Sequence, residues 1–191
     1  ESLMLSKIGP RQTPDRDSRY MGLAWIQAAF SKDPSTQVGA VVIDGNNKPL
    51  GSGYNGPPSN MDDDKIDWKR PSKEEIEESK DLNKYDVMVH AELNAIDHCF
   101  CSDLAESTIY VTAMPCPACM LEIVRKKVKR VVYMDYQSSK TSSLQNEKWR
   151  AKSVKIANEG KVKLEKFEGN INWISDWNSR LNELGLFEMP K

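Results

Sequence analysis

The residues that constrain this chain most lie far apart: His90-Ala91-Glu92 and, later, Pro115-Cys116-Pro117-Ala118-Cys119. A histidine and a C-x-x-C act together only if the fold brings them to one point. Two thiolates and an imidazole suit zinc, and three protein ligands leave the fourth tetrahedral position for water. Both motifs read as helix starts. The dipole and unpaired N–H groups there lower thiol pKa and favour the thiolates that zinc requires. Glu92 stands two residues after His90, and positions i and i+2 of a helix point in different directions. Glu92 can therefore face the open position without ligating, and carry a proton from a water that the metal has acidified. Two other readings stay open here. A C-x-x-C after a strand is also a thioredoxin-like dithiol. His98, Cys99 and Cys101 could complete a structural zinc site, or hold a second ion, although helix packing suits them better.

The surrounding pattern supplies the helix starts. Residues 1–14 read as an N-terminal arm. Asp15 to Ser18 can cap a helix, and Met21, Ala24, Trp25 and Ala28 follow at helical spacing. Leu23, Ile26 and Phe30 make that helix apolar nearly all round, which predicts burial in the core or in a subunit contact. Lys32-Asp33-Pro34 should end it. Val38 to Asp44 is a β-branched run that reads as a central strand buried on both faces. Asp44-Gly45-Asn46-Asn47 is a hairpin turn, with a second strand from Pro49 to Tyr54.

Residues 59–84 form a charged insertion, in which Ser72 and Glu75 match a capping box. Strands are predicted at Thr108–Thr112 and Val131–Met134, with a helix from the C-x-x-C between them. A helix capped by Ser142 or Ser143 runs to about Ala157, with Gly160 at its C′ position. Val162–Phe167 reads as an edge strand. Ile171, Ile174, Trp177, Leu181 and Leu184 form a helical stripe in a C-terminal extension, 169–191. The order predicts an α/β fold: three α/β/α layers around a mixed, mostly parallel five-stranded sheet, over 15–168.

Bulk properties narrow the function. The 191 residues carry a net charge of −1, which gives no basic footprint for nucleic acid. No apolar run approaches the roughly 18 residues of a membrane helix. Residues 1–5 show no basic flank or long apolar core of a signal peptide. The four cysteines, Cys99, Cys101, Cys116 and Cys119, cluster. A disulfide framework would spread them, so a reducing, cytoplasmic setting is expected.

With these residues in view, the chain resembles the cytidine deaminase superfamily, whose H-x-E…P-C-x-x-C signature it carries. Within it the resemblance is to deoxycytidylate (dCMP) deaminases. It rests on Ser31-Lys32-Asp33-Pro34 with Gln37-Val38-Gly39-Ala40, on Gly53-Tyr54-Asn55-Gly56-x-Pro58, on Asp62-Asp63 before Trp68-x-Arg70, on Lys84-Tyr85, and on His90 through Ile96. The resemblance spans about residues 16 to 136.

It implies hydrolytic deamination at C4 of cytosine, with zinc on His90, Cys116 and Cys119 and Glu92 as proton carrier. Asn55 matches a sugar-contacting loop residue. Ala91, Met114, Pro115 and Val38 should line the base and substrate site. Some viral relatives place an Arg after the His-Ala-Glu helix, whereas Cys99-Phe100-Cys101-Ser102 here offers no cation. The 5′-phosphate then needs another partner, for which Arg70, Lys84 and Lys140 are candidates, Arg70 being best suited to a bidentate grip. The resemblance further implies a homohexamer activated by dCTP and inhibited by dTTP. Gly56, Asp63, Arg70, Lys84 and Tyr85 are possible phosphate or effector contacts, and Asp62–Asp64 could bring Mg²⁺ to a triphosphate. Rival readings are a dCTP or bifunctional dCMP/dCTP deaminase, a tRNA or other nucleobase deaminase, and a non-catalytic zinc-scaffold subunit.

Overall fold

The structure is a computed structural model that describes residues 13–69, 72, 82–101, 103–135 and 143–183. In chain order its elements are α1 (Arg16–Ala28), β1 (Gly39–Ile43), β2 (Pro49–Tyr54), α2 (Lys84–Val87), α3 (Ala91–Asp97), β3 (Thr108–Val111), α4 (Pro117–Arg125), β4 (Arg130–Tyr133), α5 (Ser143–Glu159), β5 (Lys163–Lys166) and α6 (Trp173–Glu183). A 3₁₀ turn covers Asp63–Lys65. Glu75, Lys140 and Leu184 lie outside the described residues.

The five strands lie in the order β2-β1-β3-β4-β5. β1 is antiparallel to both of its neighbours, while β3, β4 and β5 are mutually parallel. Four strands therefore run one way and β1 alone runs against them, as expected of a mixed, mostly parallel sheet. Alternation along each strand divides the core in two. Ala40, Val42, Ile109, Val111 and Val131 face α3, α4 and α5 through Ala91, Ala95, Ile96, Met120, Ile123 and Ala157. Val41, Ile43, Tyr110 and Val132 face α1 through Tyr20, Met21 and Ala24. Because β1 is covered on both sides, its five residues are all buried, which is why it reads as an unbroken apolar run.

The helix that follows His90 sits unusually close to the sheet. A Cβ on Gly51 would stand 2.5 Å from the carbonyl oxygen of Ala95, and one on Gly53 would stand 2.5 Å from the Ala95 nitrogen. These two β2 positions stay bare so that α3 can lie against them. Asn94 then ties helix to strand, its side-chain amide donating to the Tyr54 carbonyl at 2.8 Å.

Two apolar segments are less buried than their patterns predict. Trp25, Ile26 and Phe30 of the α1 region are 40%, 40% and 58% exposed. The sheet covers only the stripe of α1 that meets β1, β2 and β3, since one sheet covers one side of a helix. In α6 no residue is fully buried. Its anchor is Trp173, whose indole N–H donates to the Ser18 carbonyl at 3.0 Å and whose ring lies over Gly22. Trp173 is not part of the predicted stripe.

The start of α1 is clamped to the sheet by charge. Asp15 caps the helix, accepting from the Ser18 backbone at 2.9 Å and from its hydroxyl at 2.8 Å. Asp17 accepts two bonds from Arg130, at 2.8 and 2.7 Å, and one from the Tyr110 hydroxyl at 2.7 Å. Arg130 also holds Glu165. The Arg130 guanidinium, helped by Tyr110, keeps the Asp17 carboxyl below its ordinary 3.8. A depressed folded-state pKa stabilises the fold above the unfolded value, and that contribution is lost as pH falls through the folded value. Asp17→Asn is therefore expected to lower stability at neutral pH and to flatten the acid limb below about pH 4. Urea unfolding at a series of pH values checks this; parallel acid limbs for the two proteins would count against the clamp. On this same face a cleft of ≈ 490 Å³ is lined by Asp15, Asp17, Arg130, Glu165 and Lys166 among others.

Candidate active site and metal centre

Both motif residues that begin a helix do so as N-caps. His90 has extended backbone angles (φ −71°, ψ 153°) and makes no capping bond with its side chain, so the imidazole is left for other work. Cys116 is also extended (φ −72°, ψ 163°), and Pro117 follows at the first helical position, where its fixed φ is favourable. The Cys119 backbone N–H donates to the Cys116 sulfur at 3.4 Å. Helix α4 thus starts with both thiols on its first turn, and α3 starts beside it with His90.

The three donors converge. His90 Nδ1 is 3.2 Å from Cys119 Sγ and 3.5 Å from Cys116 Sγ. All three ligand atoms lie within 4.8 Å of one another. Tetrahedral zinc with ordinary Zn–S and Zn–N bonds sets an N···S edge of about 3.6 Å, so the donor set fits that ion. Nδ1 is the nitrogen near both thiols, and so the one placed to hold such an ion. Cys116 is drawn down to about 4 by its bond with Cys119, with further help from His90. Cys119 is pushed up by the same contact and by burial. The hydrogen bond to Cys116 raises the pKa of His90 against the effect of burial.

Glu92 stands outside the donor set and next to it. It is only 4% exposed, at the second position of α3. Burial pushes its carboxyl up to about 6, while the nearby His90 pulls the other way. A helix N-terminus ordinarily favours an ionised carboxylate, but here desolvation wins. Ala91, between the two, is fully buried.

The sequence-predicted substrate residues meet at this same end of the sheet. Asn55 follows β2 and Val38 precedes β1. The Asn55 side chain accepts from the Val38 N–H at 2.7 Å and donates to the Thr36 carbonyl at 3.0 Å. Asn55 is thus first of all the clasp of its own loop. Gly56 pairs with Val89 in both directions, at 3.1 and 2.9 Å, one residue before His90. Met114 and Pro115, both buried, lead directly into Cys116.

Other predicted residues are placed elsewhere or already engaged. Lys84 is 3% exposed and its ammonium lies 3.0 and 3.2 Å from the two oxygens of Asp33, itself 6% exposed. A phosphate contact from Lys84 would have to displace that carboxylate. Asp63 pairs with Lys32 and accepts from the Trp68 indole at 3.0 Å. Tyr85 is 54% exposed beside Lys84. Arg70 lies outside the described residues. His98 Nδ1 meets the Ser52 carbonyl at 2.9 Å, and the Cys99 thiol donates to Ala95 at 3.2 Å. Both cysteines, Cys99 and Cys101, pack on the core edge. Among the described residues, His90, Cys116 and Cys119 form the one grouping able to hold an ion.

Two residues of α5 reach the site with no motif to announce them. The Ser153 hydroxyl, fully buried, donates to the Pro115 carbonyl at 2.9 Å. Arg150 contacts the Met114 sulfur at 3.6 Å and pairs with Asp135. Both lie some thirty residues beyond the C-x-x-C, so only the packing of α5 on α4 brings them there.

Two thiols and an imidazole at adjacent helix starts, with a buried carboxylate beside them, form a donor set that fits zinc. The profile described as the cytidine and deoxycytidylate deaminase zinc-binding region matches residues 14–135, and the chain belongs to this family. Among its relatives is the deoxycytidylate deaminase of Pongo abelii, 37% identical over 115 residues, covering 60% of this chain and 62% of that protein. The deoxycytidylate deaminase of Mycobacterium phage D29 is 35% identical over 122 residues, covering 63% of this chain and 94% of the phage protein. The chain spans about three fifths of the length of the Pongo abelii protein. Of the solved structures, the dCMP deaminase of cyanophage S-TIM5, known in apo form and in complex with dCMP and dUMP, matches with a TM-score of 0.58 at 22% identity. It covers 82% of this chain and 100% of that one, a likeness of fold.

Proposed function

We propose that this chain is a zinc-dependent hydrolase that deaminates dCMP to dUMP and ammonia. The observation that carries it is the placement of Glu92: buried, next to the His90–Cys116–Cys119 set, and not part of it. Zinc held there supplies Lewis acidity that brings a water to a near-neutral pKa. Glu92 does the proton work. It accepts one proton as water adds to C4 and places it on N3, then takes the second from the C4 hydroxyl and passes it to the departing amine. One C–N bond breaks, one C–O bond forms, and ammonia leaves. The buried N–H of Ala91 and the Met114–Pro115 backbone hold the base edge. Asn55 and Val38 border the sugar. The names of the relatives support the choice of dCMP.

For the 5′-phosphate, Arg150 joins Arg70 as a candidate, because it presses a guanidinium against Met114 at the site wall. Arg150→Gln is expected to raise KM for dCMP about tenfold and to leave deoxycytidine unaffected. Equal effects on the two substrates would remove Arg150 from phosphate recognition. The resemblance extends the proposal to a cytoplasmic homohexamer that supplies dUMP for thymidylate synthesis, activated by dCTP and inhibited by dTTP, with Mg²⁺ on the triphosphate.

The decisive experiment measures ammonia release from dCMP, dCTP, CMP and deoxycytidine, each with and without dCTP or dTTP as effector. Fastest turnover of dCMP supports the proposal. Preference for dCTP would move it to the dCTP or bifunctional class. No turnover of any cytosine compound would leave the metal centre and defeat the function.

A further inference from the structure

The buried ion pair between Asp33 and Lys84 has no part in the chemistry above, and it is costly. Desolvating two charges commonly cancels their attraction, so such a pair is weak evidence for stability. Its place in the chain gives it another use. Asp33 Oδ1 also accepts from the backbone N–H groups of Ser35 at 2.7 Å and Thr36 at 3.2 Å. This fixes the turn that ends at Thr36, whose carbonyl receives the Asn55 amide. Val38, two residues on, donates to the other end of the same amide. Ser31, on the near side of the turn, donates its hydroxyl to the Asn55 carbonyl at 2.8 Å.

On the other side, the Lys84 carbonyl accepts from the Met88 N–H at 3.0 Å. The next residue, Val89, pairs with Gly56 immediately before His90. The pair therefore joins the turn that orients Asn55 to the segment that delivers the metal-ligating histidine.

We propose that Asp33 and Lys84 are positioning residues: their ion pair sets the Asn55 clasp against the His90 segment and so fixes the sugar end of the nucleotide site. The inference rests on the deaminase reading. It accounts for a lysine held away from solvent where a phosphate contact was expected.

The test uses the zinc-loaded full chain and two variants, Lys84→Met and Asp33→Asn. The second keeps an oxygen for the Ser35 and Thr36 N–H groups. Each is expected to hold its zinc and raise KM for dCMP about tenfold, with kcat within about threefold of the parent. Exchange of the Val38 amide hydrogen, bonded to Asn55 in the parent, is expected to accelerate by about tenfold or more. A purely structural pair would lower the melting temperature without moving KM or singling out Val38. Parental KM and parental Val38 protection in either folded variant overturn the inference. So does loss of zinc with kcat, which would make the pair a support of the metal centre. Failure of both variants to fold also overturns it. A parent inactive on every cytosine nucleotide defeats the functional reading, whereas an unchanged KM in active variants defeats this inference alone.

Discussion

Glu92→Ala is expected to keep one zinc per chain and to lose at least ~10²-fold in kcat for dCMP. The two halves of that outcome separate the proton carrier from the ligands. Removing Glu92 takes nothing from the His90, Cys116 and Cys119 donor set, so metal analysis should return the parental ratio. What disappears is a carboxyl group 4% exposed and adjacent to His90, which no bulk water replaces with the same aim. Alanine also removes a buried group whose ionisation burial opposes, so the variant should fold at least as well as the parent. Activity comparable to the parent would sink the mechanism. Loss of zinc together with activity would mean that Glu92 helps to hold the ion.

Gly53→Val is expected to cost about 3 kcal/mol, the upper end for an overpacked core, and to weaken zinc binding as well. The obstacle is the α3 backbone at Ala95, 2.5 Å from where the new Cβ would sit, not the yielding tip of a side chain. The strand is shared with the Asn55 loop and the helix carries Glu92, so the clash cannot be relieved without moving the site. Gly45→Ala is the control, since its nearest neighbours would be 3.6 and 3.7 Å away, an ordinary contact. Urea unfolding and zinc titration of both variants check the contrast. Equal stability of the two would show that α3 does not rest on β2 as closely as described.

Much of this was legible because each signal was local. Of the run at Val38–Asp44, Gly39–Ile43 forms the strand and is buried throughout, as a strand between two helical layers must be. Pro49 to Tyr54 is the strand its turn signals predicted. Cys116 could be placed at a helix start because Pro117 beside it suits the first helical position. What was not legible depended on contacts made at long range. Lys84 looks like any charge in a basic-acidic stretch until Asp33, 51 positions away, is found against it. Gly51 and Gly53 read as weak points of a strand until α3 is seen lying on them. Trp25, Ile26 and Phe30 look like core because hydrophobicity alone does not say which side of α1 meets the sheet. Arg150 and Ser153 carry no motif, and their nearness to Pro115 comes from the packing of α5.

The donors at the two helix starts also couple the metal to the fold. His90 and Cys119 bracket about 30 residues of chain, a loop whose ends an unfolded molecule must bring together against entropy. An ion held by all three side chains therefore selects the folded form, and stability rises with free metal by about 1.4 kcal/mol per decade once the site is near saturation. Among the described residues, the hydrophobic layers on both faces of β1 include none of the three ligands, so the metal-free chain has its own reason to stay folded. Its melting temperature then becomes a gauge of metal supply, with a logarithmic scale set by mass action.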